Sequence, residues 1–103
     1  MALRICIGGA TGWTGSALVE GVRAAADLEL SGAVARKAAG KDIHGIAAAA
    51  TVADALSARN TDVYIDYTHP SAVKGNVLTA LDMGVAVVVG TSGMSAADYA
   101  EIA

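Results

Sequence analysis

Short apolar runs alternate with longer amphipathic segments along the chain. The apolar runs are rich in Val, Ile and Leu and end at glycine, charged or turn residues, which is typical of buried strands. They lie at residues 3–7, 28–35, 62–67 and 85–89, with a shorter one at 47–50. The run at 85–89 is apolar at every position, which predicts an interior strand covered by helices on both faces.

The segments between these runs carry apolar residues at helical spacing. Helices are predicted at residues 13–26, 51–58 and 70–83, and from Ser95 to residue 103. The predicted buried faces are Ala17, Leu18, Val22 and Ala25 in the first helix, and Val73, Val77, Leu78 and Leu81 in the third. Thr51 is expected to cap the second helix, Pro70 to open the third, and Gly84 to end it in left-handed geometry.

Strands that alternate with helices predict right-handed βαβ crossovers and a parallel sheet wound on both faces. The expected fold is therefore α/β and Rossmann-like. A chain of 103 residues leaves room for one core, so we expect a single domain over residues 1–103. The 54% hydrophobic content, with one Trp, three Tyr and no Phe, suits helices packed closely on a sheet. Apart from the short apolar run at 47–50, residues 38–50 are a mixture of Ala and Gly that predicts a loop.

The composition argues against several classes of function. No apolar run approaches the roughly 20 residues that cross a bilayer, and the first four residues lack a signal-peptide pattern, so we expect a cytoplasmic protein without membrane contact. The net charge is −3 and the largest basic cluster is Arg36-Lys37, which argues against a nucleic-acid partner. Cys6 lies inside a strand and is expected to be a buried apolar thiol.

A glycine motif, Gly9-x-x-Gly12-x-x-Gly15, lies between the first strand and the first helix. In that position glycines let the backbone turn tightly and approach a pyrophosphate, while the helix N-terminus offers free N–H groups. The alternative is a glycine-rich turn without a ligand. The predicted contacts to the cofactor here are Gly9, Thr11, Gly12, Trp13, Thr14 and Gly15.

The second strand ends at Arg36 and Lys37, and no carboxylate follows until Asp42. In a dinucleotide fold this strand end faces the adenosine ribose, where a basic residue accommodates a 2′-phosphate and an acidic one binds a 2′-hydroxyl. The sequence therefore predicts NADP(H) in preference to NAD(H). The alternative is a solvated basic pair that binds nothing.

Two further strand ends carry Asp66-Tyr67-Thr68-His69-Pro70 and Gly90-Thr91-Ser92-Gly93. Together with the glycine turn, these motifs resemble the N-terminal domain of dihydrodipicolinate reductase, an NAD(P)H-dependent enzyme of lysine biosynthesis. The resemblance covers nearly the whole chain. It implies that the glycine turn holds the pyrophosphate. It also implies that Thr68, His69, Gly90 and Thr91 line the nicotinamide end.

The same resemblance implies that Ser92, where the family usually has Thr, also touches the substrate. Trp13-Thr14 stands where the family usually has Arg-Met, and Tyr67 replaces the common Phe. The family's second, mainly β domain binds the cyclic dicarboxylate and would begin after residue 103. We therefore expect no catalytic residue and no metal site in this chain, and no activity from it alone.

Two other functions remain open. The chain is alternatively a stand-alone NADP-binding or sensing module without a catalytic role. An interaction protein is the third hypothesis, because an uncovered apolar strand at 85–89 invites pairing and a homo-oligomer. His69 is alternatively an ordinary residue at a helix start, and His44 is expected to be solvated in its glycine-rich loop.

Overall fold

A computed structural model describes residues 3–11, 13–35, 40–43, 45–68 and 70–90. In chain order the elements are β1 (Leu3–Gly8), α1 (Trp13–Ala24), β2 (Leu28–Val34), β3 (Asp42–Ile43), β4 (Ile46–Ala47), α2 (Val52–Ala58), β5 (Val63–Asp66), α3 (Pro70–Asp82) and β6 (Ala86–Val89). The predicted helix beginning at Ser95 lies outside the described residues. None of the described helices is long and apolar enough to span a membrane.

Four parallel strands form the main sheet, in the order β2-β1-β5-β6. Chain order reverses at β1, because β2 pairs on one side of it and β5 on the other. A reversal of this kind is the topological switch point of a doubly wound fold. The predicted α/β, Rossmann-like architecture is confirmed.

Helices cover the sheet on both faces. Alternate residues of β1 divide between the two cores, with Ile5 and Ile7 on the face that carries α1 and Cys6 on the face that carries α2 and α3. Cys6 is fully buried, as predicted, and burial raises the pKa of its thiol to about 12. The thiol is therefore protonated and unreactive at neutral pH.

The helix faces differ in part from the predicted ones. In α1 the buried stripe is Gly15, Val19 and Val22, while Ala17 is exposed. In α3 it is Val73, Val77 and Ala80, while Leu81 is 39% exposed. The predicted residues Val22, Val73 and Val77 are buried, and both stripes step by four and then three residues, so the periodicity was right, while the buried stripe of α1 is centred on other residues than predicted. Which residues of a helix are buried depends on how the helix packs on the sheet, and the spacing of apolar residues along the chain does not specify this.

The segment predicted as a loop at 38–50 contains the antiparallel hairpin β3-β4 among its described residues. The strand predicted at 47–50 is reduced to the end of β4 and one parallel bridge, between Val34 and Ala49. Ala49 accepts from Ala35 N–H at 2.9 Å and donates to the Ala33 carbonyl at 2.9 Å. This bridge extends the sheet on the outer side of β2, where a third strand of the fold is expected.

Within the described residues β6 pairs with β5 alone and ends the sheet. Its residues alternate between exposed and partly buried, and Val88 is 53% exposed. The prediction of an interior position for 85–89, covered on both faces, is wrong for this part of the chain. Among the described helices, α3 alone packs on β6, and no described strand covers the outer edge of β6.

Candidate functional site

The carboxyl ends of all four main strands lie in one row. Gly8 of β1 pairs with both Val34 of β2 and Asp66 of β5, and Asp66 pairs with Val89 of β6. The turns that follow β1 and β5, and Gly90 after β6, therefore lie side by side. Ligands of open α/β sheets bind outside this edge, at the switch point, so the topology places the candidate site here.

Backbone hydrogen bonds join the first residue after each of these strands to the last residue of the neighbouring strand. Gly9 N–H donates to the Val34 carbonyl at 2.9 Å, and Tyr67 N–H donates to the Gly8 carbonyl at 3.1 Å. Gly90 N–H donates to the Asp66 carbonyl at 2.9 Å. The polar backbone groups at the strand ends are thus satisfied by neighbouring turns, and the turns are held in a fixed arrangement.

The glycine turn leaves no room for side chains at two of its predicted positions. Gly9 has a φ of +76°, and a Cβ on it would overlap the Tyr67 carbonyl. A Cβ on Gly15 would overlap the Gly9 carbonyl oxygen, so the start of α1 is packed directly on the turn. Glycine is required here by both conformation and close approach.

The start of α1 is suited to an anion. Its first N–H groups have no partner within the helix, and its first turn contains no acidic residue. Thr11, on the turn before it, is exposed. Trp13 and Thr14 open the helix, as predicted. The arrangement can bind a diphosphate through backbone N–H groups and the helix dipole.

Five predicted contacts, Gly12, Arg36, Lys37, His69 and Thr91, and the predicted substrate contact Ser92 lie outside the described residues. The described predicted residues divide into two groups. Gly9, Thr11 and Gly15 form the glycine turn and the start of α1, together with the backbone of Trp13 and Thr14. Thr68 and Gly90 lie on the other side of the switch point.

A buried hydrogen-bond network supports the turn after β5. The carboxylate of Asp66 is fully buried and accepts from the Tyr64 hydroxyl at 3.0 Å. It also accepts from Thr68, from the backbone N–H at 2.8 Å and from the hydroxyl at 2.6 Å. Asn76 of α3 donates to the Thr68 hydroxyl at 3.1 Å. Four side chains from β5, its following turn and α3 are thereby locked together.

Tyr64 connects this network to the glycine turn. Its side chain is fully buried, and a Cβ on Gly8 would overlap its hydroxyl. Burial, followed by the charge of Asp66, raises the pKa of the Tyr64 hydroxyl well above its usual range. The hydroxyl is therefore a permanent donor to Asp66 directly beneath the end of β1.

Gly90 packs on the ring of Tyr67, which a Cβ at residue 90 would overlap. Thr68 and Tyr67 are partly exposed, whereas Asp66 below them is buried. The turn after β5 thus leaves Thr68 partly exposed at the carboxyl end of the sheet, while the carboxylate that supports it is hidden from water. Thr68 and Gly90, both predicted from the sequence, are brought close by the pairing of β5 with β6.

A groove of about 660 Å³ runs beside the glycine turn, between α1 and the hairpin β3-β4. Thr11 and Ser16 line its α1 side, and Lys41 and Asp42 line its hairpin side. Lys41 is exposed, so it adds a cation near the turn that the sequence did not single out. The described residues contain no cluster of three or more His, Cys, Asp or Glu that could hold a metal ion.

Sequence reasoning missed the roles of Gly8, Tyr64 and Asn76, and treated Asp66 only as part of a strand-end motif. One signal was available. Tyr64 and Asp66 are two residues apart in a strand, so their side chains point to the same face, which is the buried face under α3. A carboxylate at such a position needs donors, and the tyrosine beside it is one.

The family described as "Dihydrodipicolinate reductase, N-terminus" matches residues 3–103. A 4-hydroxy-tetrahydrodipicolinate reductase from Nocardia farcinica is 34% identical over 99% of this chain and 36% of its own length. One from Bifidobacterium animalis subsp. lactis is 42% identical over 88% of this chain and 31% of its own length. The chain therefore spans about a third of the length of the curated relatives it matches.

Solved structures share the fold. A dipicolinate-bound dihydrodipicolinate reductase from Paenisporosarcina sp. TG-14 superposes with a TM-score of 0.88 at 22% identity, over 99% of this chain and 42% of its own. RSP, a Rex-family repressor, superposes with a TM-score of 0.72 at 16% identity, over 94% of this chain and 50% of its own. At these identities the superpositions establish the architecture and leave ligand and activity open.

Proposed function

Because the chain belongs to the dihydrodipicolinate reductase family and has the Rossmann-like fold of its nucleotide-binding domain, we propose that it binds a nicotinamide dinucleotide for hydride transfer. The observation that carries this proposal is the close packing of Gly9, Gly15 and the Tyr67 backbone at the start of α1. That packing leaves a turn without side chains at these two glycines, beside the first N–H groups of α1, which have no partner within the helix. A pyrophosphate fits both features.

The cofactor that we propose is NADP(H), with NAD(H) bound more weakly. The chain leaves β2 at the same sheet edge as the glycine turn, since Gly9 and Ala10 both donate to the Val34 carbonyl. The basic pair Arg36-Lys37 follows that point in the sequence and offers charge to a 2′-phosphate. Lys41, on the rim of the neighbouring groove, adds to the positive charge on this side.

The nicotinamide half then lies on the β5 and β6 side of the switch point, near Thr68 and Gly90. We also assign His69 and Thr91 to this half and Ser92 to a contact with the substrate. When bound, the nicotinamide supplies the hydride, and the chain binds and orients it. In the whole protein we propose reduction of a dihydrodipicolinate-type substrate in lysine biosynthesis, in the cytoplasm.

A titration of the chain with NADPH and NADH tests the cofactor proposal, with the fluorescence of Trp13, the single tryptophan, as readout. We expect tighter binding of NADPH. Arg36→Ala should weaken NADPH binding about tenfold to hundredfold, the size of a lost charge-assisted hydrogen bond, and leave NADH binding unchanged. Arg59→Ala is the control, because that exposed arginine lines a groove with Arg4 at the opposite end of the sheet.

The outcomes separate two claims. Absence of binding by either dinucleotide contradicts the function itself. Equal binding of both, or no loss on Arg36→Ala, contradicts only the preference for NADP(H).

The second candidate is a stand-alone NADP-binding or sensing module, which is favoured by the presence of Gly9, Gly15 and the switch point within one described sheet and its first helix. Catalysis distinguishes it from a part of a larger reductase. We expect this chain alone to bind NADPH and to show no NADPH oxidation with dihydrodipicolinate. A longer protein that carries the same sequence and oxidises NADPH with that substrate supports the reductase.

A further inference from the structure

The hydrogen of the Thr68 hydroxyl is committed within the protein. A threonine hydroxyl has one hydrogen to donate and two lone pairs to accept with. The hydrogen points to Asp66 Oδ1 across 2.6 Å. One lone pair accepts from Asn76 Nδ2 across 3.1 Å. No other described group donates to this hydroxyl, so one lone pair remains for a ligand.

The neighbouring groups keep the Thr68 hydroxyl as a donor to Asp66 and as an acceptor from Asn76. Asp66 also accepts from the Tyr64 hydroxyl and from the Thr68 backbone N–H. A convergence of donors suits an ionised carboxylate, which accepts and never donates. The amide nitrogen of Asn76 can likewise only donate. With Asp66 as an acceptor and the Asn76 amide nitrogen as a donor, the Thr68 hydrogen is directed at Asp66 Oδ1.

Thr68 connects this buried network to the surface at the carboxyl end of β5. Asp66 is fully buried, whereas Thr68 is partly exposed at the carboxyl end of β5. Thr68 also lies close to the glycine turn, because a Cβ on Gly9 would come within 3.3 Å of its backbone nitrogen. A dinucleotide with its pyrophosphate on that turn has its nicotinamide riboside half beside Thr68.

On the basis of the function proposed above, we propose that Thr68 Oγ1 is an acceptor that selects a hydrogen-bond donor on the nicotinamide riboside half of the cofactor. Two groups there carry suitable hydrogens, the carboxamide N–H₂ and the ribose hydroxyls. A group that only accepts, such as the carboxylate of the nicotinic acid dinucleotide, faces an acceptor instead. Asp66 and Asn76 are positioning residues that set the polarity of Thr68.

The test compares three ligands with NADP⁺ on the wild-type chain by calorimetry. The 3-acetylpyridine analogue replaces the amide N–H₂ by a methyl group, a second analogue lacks a hydroxyl on the nicotinamide ribose, and the third is nicotinic acid adenine dinucleotide phosphate. We expect one of the first two to bind about threefold to tenfold more weakly than NADP⁺, which identifies the donor. The carboxylate analogue should bind more weakly if the carboxamide is that donor.

Equal affinity for NADP⁺ and the first two analogues would overturn the inference and leave the proposed function intact. Failure of NADP⁺ itself to bind would instead overturn the proposed function. These arms use the unaltered protein, so they do not depend on the folding of a variant.

Variants then assign the effect to Thr68. Thr68→Val keeps the shape and removes the hydroxyl, so the difference between NADP⁺ and the discriminating analogue should disappear, and Thr68→Ser should restore it. Asp66→Asn replaces the carboxylate by an amide that can donate to the Thr68 hydroxyl. The Thr68 hydrogen is then free to donate to a ligand, so an analogue with an acceptor at this position should gain affinity relative to NADP⁺. Discrimination that persists in Thr68→Val would contradict a role for this hydroxyl.

Discussion

The start of α1 packs so closely on the glycine turn that a Cβ on Gly15 would overlap the carbonyl oxygen of Gly9. This contact fixes the direction in which the first N–H groups of the helix point. It also ties stability to ligand binding, because the same backbone supplies the packing surface and the proposed pyrophosphate site.

Gly15→Ala should therefore destabilise the fold by about 1–3 kcal/mol, the usual cost of overpacking, and weaken NADPH binding. The free energy of unfolding in urea and the NADPH titration measure the two effects. Gly21→Ala is a matched control in the same helix, because a Cβ there meets nothing within 4 Å. Its higher helix propensity should stabilise the chain by up to about 1 kcal/mol. Equal stability of the two variants would contradict the packing argument.

Tyr64→Phe should destabilise the chain by about 1–3 kcal/mol, because it removes a donor from the fully buried carboxylate of Asp66. Urea unfolding provides the measurement. Tyr67→Phe is the control, since Tyr67 is partly exposed and no hydrogen bond of its hydroxyl occurs in the described structure. We expect it to change stability by less than about 0.5 kcal/mol. A neutral Tyr64→Phe would mean that the network does not depend on this hydroxyl.

At the opposite end of the sheet, Arg4 and Asp62 form a bidentate ion pair. Arg4 Nη2 donates to Asp62 Oδ1 at 3.1 Å, and Arg4 Nε donates to Asp62 Oδ2 at 3.2 Å. These hydrogen bonds hold the pKa of Asp62 below its usual range. A lowered pKa stabilises the fold above the pKa of an unfolded aspartate, about 3.9, and this contribution is lost as the pH falls through the folded value. We expect Asp62→Asn to lower the Tm at pH 7 and to reduce its fall between pH 5 and pH 2. Asp27→Asn is the control, because it removes an exposed carboxylate that forms no salt bridge among the described residues.

The edge at β6 predicts self-association of the 103-residue chain. Val88 is 53% exposed on a strand whose outer edge pairs with no described residue. We expect the mass measured by light scattering to rise with concentration, and Val88→Lys to suppress that rise. Leu3→Lys is the control, because Leu3 is 51% exposed at the start of β1, a strand that is paired on both sides. A wild-type chain that stays monomeric at every concentration would exclude pairing through this edge.

Much of the fold could be predicted from the chain itself. Short apolar runs and helical patterns located the main strands and helices, and local chemistry located their ends. Thr51 caps α2 by accepting from Asp54 N–H at 3.2 Å, and Gly84 follows α3 with a φ of +79°. Caps and turns are decided by neighbours in sequence, so a single sequence contains their cause.

Contacts between distant elements could not be predicted in this way. The burial of Val19 in place of Ala17 depends on how α1 meets β1, and the exposure of Val88 depends on which strand ends the sheet. The hairpin β3-β4 is too short for a periodic pattern to mark it.

The sequence by itself determined the alternation of strands and helices, the glycine turn at Gly9 and Gly15, and the family, because each depends on residue type and spacing along the chain. Only the tertiary structure decided that Tyr64, Asp66, Thr68 and Asn76 form one network and that its free lone pair belongs to Thr68. The physical reason is that a buried hydrogen bond depends on distance and direction between groups. Those are set when β5 and α3 pack together, and residue order does not specify them.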